Sequence, residues 1–204
     1  MTTRSSTLTK KNVITEIAAT LAFSAAKNND KVGCILFSDK VEKFIPPKKG
    51  RAHVMMIIRE LVGFEPTGTS TNISEALRYL VGVNKKRATC FLLSDLINAE
   101  SDMVKLDDAL KIASSKHDIM AIKVHDERDS ELPNVGIVEV QDAETGRKEW
   151  LDTSSRSVRR FWKENYEERS AVMKSLMQHN RVDMVDVATG EDYVVELIKM
   201  FKQR

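Results

Sequence analysis

The chain has 204 residues, 42% of them hydrophobic and 30% charged, which is enough for one domain with a buried core. Its 32 basic and 30 acidic residues leave a net charge of +2 and are well mixed, without the basic stripe that suits nucleic acid. No apolar run approaches the ~20 residues of a membrane span, and the opening MTTRSSTLTKK has no apolar core of a signal peptide, so a cytoplasmic location is expected.

In chain order, Ile14, Ile17, Ala18, Leu21 and Ala25 recur at helical spacing and predict a first helix, ended by Asn28-Asn29-Asp30. VGCILFSDKVEKFI then predicts two strands joined by a tight turn at Ser38-Asp39-Lys40. PPKKGR (46–51) is a short basic cluster and reads as a solvated turn. Val54, Ile57, Ile58 and Leu61 give a second helix, with Gly63 at its carboxyl end. TGTSTNISEALRYL (67–80) sets a hydroxyl-rich, Gly-bearing loop before a third helix, and Asn72 and Glu75 have the spacing of a capping box.

ATCFLLSD (88–95) is nearly all apolar, as a strand buried on both faces of a parallel sheet would be. Met103, Leu106, Leu110 and Ala113 predict a fourth helix, and DIMAIKV (118–124) a second buried strand. Residues 135–153 alternate around AETG and predict a hairpin. A long helix carries Val158, Phe161, Trp162, Met173, Leu176 and Met177, with Phe161 and Trp162 expected in the core. VDMVDV (182–187) is a last strand, and Thr189 and Asp192 are spaced to cap a last helix bearing Val194, Leu197, Ile198 and Phe201. Alternating strands and helices argue an α/β fold, a mostly parallel sheet with helices on both faces. The strands at 32–38, 88–94, 118–124 and 182–187 are expected in one sheet, with 41–45 antiparallel at an edge. Residues 1–204 form a single domain in this reading, elaborated by the hairpin and long helix at about 130–180.

The loop at 67–72 is open to three chemistries. A phosphate loop needs a Lys after its second Gly, and a dinucleotide loop needs three glycines; this loop has Gly68 and no following Lys. Helix capping by Asn72 is a sufficient local role. A metal needs a carboxylate, and Asp95 supplies one just after an interior strand, where open α/β sheets bind their ligands. With Thr71 it offers oxygen donors to a hard cation such as Mg²⁺. CILFSD (34–39) repeats the pattern of CFLLSD (90–95), but a tight turn explains Asp39, which is expected to lie away from the site. His53, His117, His125 and His179 show no metal-ligand spacing. His125 beside Asp126 is a weak catalytic candidate. Cys34 and Cys90 sit in apolar runs and read as free thiols.

KVGCILFSDKVEKFIPP, TGTSTNISEAL and TCFLLSDL, in that order, resemble the von Willebrand factor A-like domain of the domain of unknown function 58 family. EWLDTSSRSVRRFW and DYVVELIKMFKQR extend the resemblance towards the carboxyl end. It implies a von Willebrand factor A-like, Rossmann-like fold and a metal-ion-dependent adhesion site. Such a site combines an Asp-x-Ser-x-Ser loop after the first strand with a Thr and an Asp. Thr71 matches the Thr and Asp95 the Asp, while no segment matches Asp-x-Ser-x-Ser. The resemblance therefore implies an amino-terminally truncated domain without its first central strand, expected between 32–38 and 88–94, and Mg²⁺ bound weakly or not at all. It further implies a non-enzymatic protein-interaction domain that works with a MoxR-type AAA+ ATPase in protein assembly or maturation. The alternative from the residues is a metal-assisted phosphoryl hydrolase using Asp95.

Overall fold

A computed structural model of the chain describes residues 9–68, 70–96, 103–141 and 148–202. Helix α1 (Lys10–Lys27) opens on Thr9, whose hydroxyl accepts the Asn12 amide; a helix start leaves such amides without intrahelical partners. Strands β1 (Val32–Phe37) and β2 (Val41–Lys48) follow as an antiparallel pair. Helices α2 (Arg51–Gly63) and α3 (Ile73–Val83) lead to β3 (Thr89–Ser94), and α4 (Met103–Lys116) returns the chain to β4 (Asp118–His125). The one-turn α5 (Glu127–Ser130), the hairpin β5 (Ile137–Gln141) and β6 (Lys148–Asp152), and the long α6 (Arg156–His179) precede β7 (Asp183–Ala188) and α7 (Tyr193–Lys202).

Strands β3, β4 and β7 form a parallel sheet in the order β3-β4-β7. Helical crossovers between successive strands impose the parallel sense. Side chains of β4 alternate between two cores, as the two-residue period of a strand requires. Ile119 and Ala121 join Leu77, Leu92, Leu106, Leu110 and Met177 on one face. Met120, Ile122 and Val124 join Val13 and Ile17 of α1 and Leu197 and Met200 of α7 on the other. Helices thus cover both faces, as the strand and helix alternation predicts.

The expectation of a single sheet does not hold. Among the described residues, β1 and β2 form a sheet of their own. The break falls between β1 and β3, where the missing strand is expected. Side chains bridge it: Phe37 at the end of β1 packs on the cluster that holds Leu92 and Leu96. Hydrophobic alternation tells which face of a strand is buried, but not which neighbour its edge will bond, so alternation alone does not reveal the split.

Two smaller expectations change as well. Asp192 caps α7 by accepting the Val194 amide at 3.0 Å, whereas the Thr189 hydroxyl turns to Asp126 at 3.3 Å. Phe161 is 68% exposed, while Trp162 is half-buried with its indole N–H on the Asp129 carbonyl. Helical spacing places both aromatics near one face, but α6 packs through the turns that carry Met173 and Met177. The AETG turn lies outside the described residues; the strands flanking it pair as predicted.

Candidate functional site

The Gly-bearing loop before α3 does cap its helix: Asn72 Oδ1 accepts the Glu75 amide at 3.0 Å. It also docks on the β1–β2 turn. The Asn72 amide donates to the Ser38 carbonyl at 2.8 Å. Glu42, on β2, gathers the rest. Its carboxylate accepts the Thr67 amide at 2.8 Å, the Thr67 hydroxyl at 2.8 Å, the Gly68 amide at 3.3 Å and the Ser38 hydroxyl at 2.6 Å. The hydrogen bonds from Ser38 and Thr67 hold its pKa well down, at about 2. Consecutive loop amides form the kind of concavity that holds anions, and here the anion is the protein's own carboxylate.

Gly68 lets that docking come close. A Cβ there would lie 1.9 Å from Asp39 Oδ1 and 2.8 Å from Ser38 Oγ. Asp39 therefore abuts the loop at Gly68. The turn reading of Asp39 is right about its backbone and silent about its side chain, which reaches across to a segment distant in sequence.

Asp95 follows β3 at the carboxyl edge of the parallel sheet. Ser94 is buried; its hydroxyl contacts Asp95 Oδ1 at 3.4 Å and accepts the Leu96 amide at 3.1 Å. Leu96 adopts a left-handed φ of 54°, a conformation uncommon for a non-glycine residue. Lys10, in the first turn of α1, bridges two carboxylates: Asp95 Oδ2 at 3.4 Å and Asp129 Oδ2 at 3.0 Å. Burial disfavours the Lys10 ammonium, but Asp95 and Asp129 outweigh it and raise its pKa. Asp129 also accepts the Asp126 amide at the start of α5, so α1, β3 and α5 meet at one ammonium.

Thr71 stands half-buried two residues before α3. Ile73 and Leu77 of α3 share a core cluster with Leu92 and Leu96, which flank Asp95. The loops bearing Thr71 and Asp95 thus rise from one packed cluster, and Ser94 and Lys10 are among the side chains that meet Asp95. Among the described residues no three of His, Cys, Asp and Glu converge on a metal position, and the Lys10 ammonium sits between Asp95 and Asp129.

Sequence pattern passes over both Lys10 and Glu42. A faint signal exists for Lys10: lysine in the first turn of a helix opposes the helix dipole, so a carboxylate nearby is to be expected. His125, at the end of β4, donates through Nδ1 to Asp186 Oδ1 at 2.6 Å, beside the buried Lys123. The thiols of Cys34 and Cys90 are both pushed up by burial to about 11, which leaves them poor nucleophiles.

A family model described as "Protein of unknown function DUF58" matches residues 1–172. The uncharacterized protein Mb1516 of Mycobacterium bovis is 27% identical over 139 residues, covering 67% of this chain and 43% of that protein. The uncharacterized protein Rv1480 of Mycobacterium tuberculosis matches to the same extent. The chain thus spans less than half the length of these two relatives. The uncharacterized protein MAV169 of Mycobacterium avium is 25% identical over 164 residues, 78% of this chain and 93% of that protein. Among solved structures, an aerotolerance-related membrane protein from Bacteroides fragilis is similar in fold, with a TM-score of 0.51 at 16% identity over 92% of this chain and 88% of that one.

Proposed function

The chain belongs to the DUF58 family, and from that premise we propose that it is a non-enzymatic protein-interaction domain that docks through the carboxyl edge of the β3-β4-β7 sheet. The observation that supports this most is the Lys10 bridge between Asp95 and Asp129. All three side chains keep a quarter to a third of their surface in solvent (31%, 30% and 25%), so a partner's polar groups can reach them. A von Willebrand factor A-like reading of the fold and a partial metal-ion-dependent adhesion site at Thr71 and Asp95 belong to the same proposal. They rest on the ordered sequence resemblance and on the placement of Asp95 at a strand end. The cation at this edge is the Lys10 ammonium, so Mg²⁺ is expected to bind weakly, and docking to survive a chelator. The proposed partner is a MoxR-type AAA+ ATPase, an assignment that rests on the resemblance alone.

The test is capture of a MoxR-type ATPase from the same organism by the purified chain, with and without chelator. Asp95→Ala is expected to lose the ATPase while its melting temperature stays within a few degrees of the parent, because Asp95 is a partly exposed loop residue. Equal capture by Asp95→Ala removes the edge from the interface. Metal-dependent turnover of a generic phosphoester, abolished by Asp95→Ala, replaces this proposal with the hydrolase reading.

A further inference from the structure

At the opposite, amino edge of the sheet, three connections converge: α3 to β3, α4 to β4 and α6 to β7. They enclose a cleft of about 350 Å³ lined by Arg87, Ser114, Ser115, His117, Asp118, Ile119 and Arg181. His117 is only 2% exposed, yet among the described residues neither of its ring nitrogens has a hydrogen-bond partner. A buried polar group left without a partner is costly, and native proteins rarely keep one without a reason. Burial, aided by the neighbouring Lys116 charge, lowers the His117 pKa, so at neutral pH the ring holds one N–H and one lone pair, neither with a partner among the described residues.

Water alone could serve a neutral imidazole, but the company it keeps points elsewhere. Arg87 and Arg181 bring two exposed guanidinium groups from separate loops, and Arg181 holds a left-handed φ of 57°. The guanidinium fork matches the oxygens of phosphate. Ser114 and Ser115 donate their hydroxyl protons to the Lys111 and Ile112 carbonyls of α4. Asp118 is the one acid in the lining. A carboxylate there favours an anion that itself carries a proton to donate, as monohydrogen phosphate does and sulfate does not. The volume lies at the low end of small-molecule sites.

We propose that this cleft binds a small phosphate-bearing anion, held by Arg87 and Arg181, with His117 as the buried donor at its floor. The site is independent of the carboxyl edge and of the function proposed for it.

The test titrates inorganic phosphate into the full chain by calorimetry, with sulfate and chloride as controls, while the His117 ring nitrogens are followed by NMR. Saturable phosphate binding is expected, with a shift at His117 and weaker binding of sulfate. Arg87→Ala and Arg181→Ala, both at exposed positions, are each expected to weaken binding about tenfold, the loss of one charge-assisted contact. His117→Phe is expected to weaken phosphate binding with its melting temperature unchanged or raised, since it removes the unsatisfied nitrogens. Absence of saturation at millimolar phosphate overturns the proposal. So does affinity unchanged in the Arg87→Ala/Arg181→Ala double variant, or an equal response to chloride.

Discussion

At the scale of single residues, Glu42 shows how a side chain without a motif can organise a loop. It joins the β1–β2 turn to the loop before α3 through donors from Ser38, Thr67 and Gly68. Its folded pKa of about 2 lies below the ordinary value of 4.5. A depressed carboxylate contributes stability that is complete above the ordinary value and is lost as pH falls through the folded one. Acidification from about 4.5 towards about 2 is therefore expected to strip exchange protection from the Thr67 and Gly68 amides. Glu42→Ala is expected to expose them already at neutral pH and to abolish that acid dependence. Amide hydrogen exchange reads both, and unchanged protection in Glu42→Ala rules out the tether. Lys123 teaches a related lesson. In DIMAIKV it reads as the polar end of a strand, but it is 4% exposed, with its ammonium bonded to Tyr166 and Ser170 of α6 at 2.9 Å each. The α6 hydroxyls, together with the Asp186 carboxylate of β7 at 3.4 Å, make such a burial tolerable.

At the scale of elements, the hairpin and α6 stand apart from the α/β core in their exposure. One hairpin face turns outward, leaving Ile137 69% and Trp150 70% exposed, with a Lys148–Glu139 ion pair at 3.1 Å on the same face. The opposite face carries Val138, Val140 and Leu151, which are half-buried. Alternation correctly identified a two-faced hairpin. The chain's two tryptophans make these environments separable. Trp150 fluorescence is expected to be red-shifted and readily quenched by acrylamide, whereas Trp162, bonded to the Asp129 carbonyl, is expected to resist quenching. Trp150→Phe isolates Trp162 and is expected to leave stability within about 0.5 kcal/mol, as for most surface substitutions. Strong protection of Trp150 from acrylamide contradicts the outward face.

At the scale of the whole molecule, the division into a β1–β2 sheet and a β3-β4-β7 sheet governs how stability is distributed. Strand β4 is bonded on both edges and buried from Ile119 to Val124. Strand β3 is bonded to β4 alone among the described strands, and its Cys90, Phe91 and Leu93 are only half-buried despite their apolar character. Native-state hydrogen exchange is expected to find β4 slowest, β3 faster, and β1–β2 faster still, because opening energies follow burial and pairing. Equal protection in β1 and β4 contradicts a divided sheet. The sequence by itself determined the elements, their order, the parallel sense of β3, β4 and β7, the two-sided helical cover, the Asn72 cap and the place of Asp95 at a strand end. Each follows from local periodicity, capping chemistry or the length of a crossover. Tertiary structure alone decided that Glu42 fills the loop, that Lys10 bridges Asp95 and Asp129, and that His117 is buried beside two arginines. Those outcomes depend on which distant segments come within hydrogen-bond or Coulomb range, and no local pattern encodes that distance.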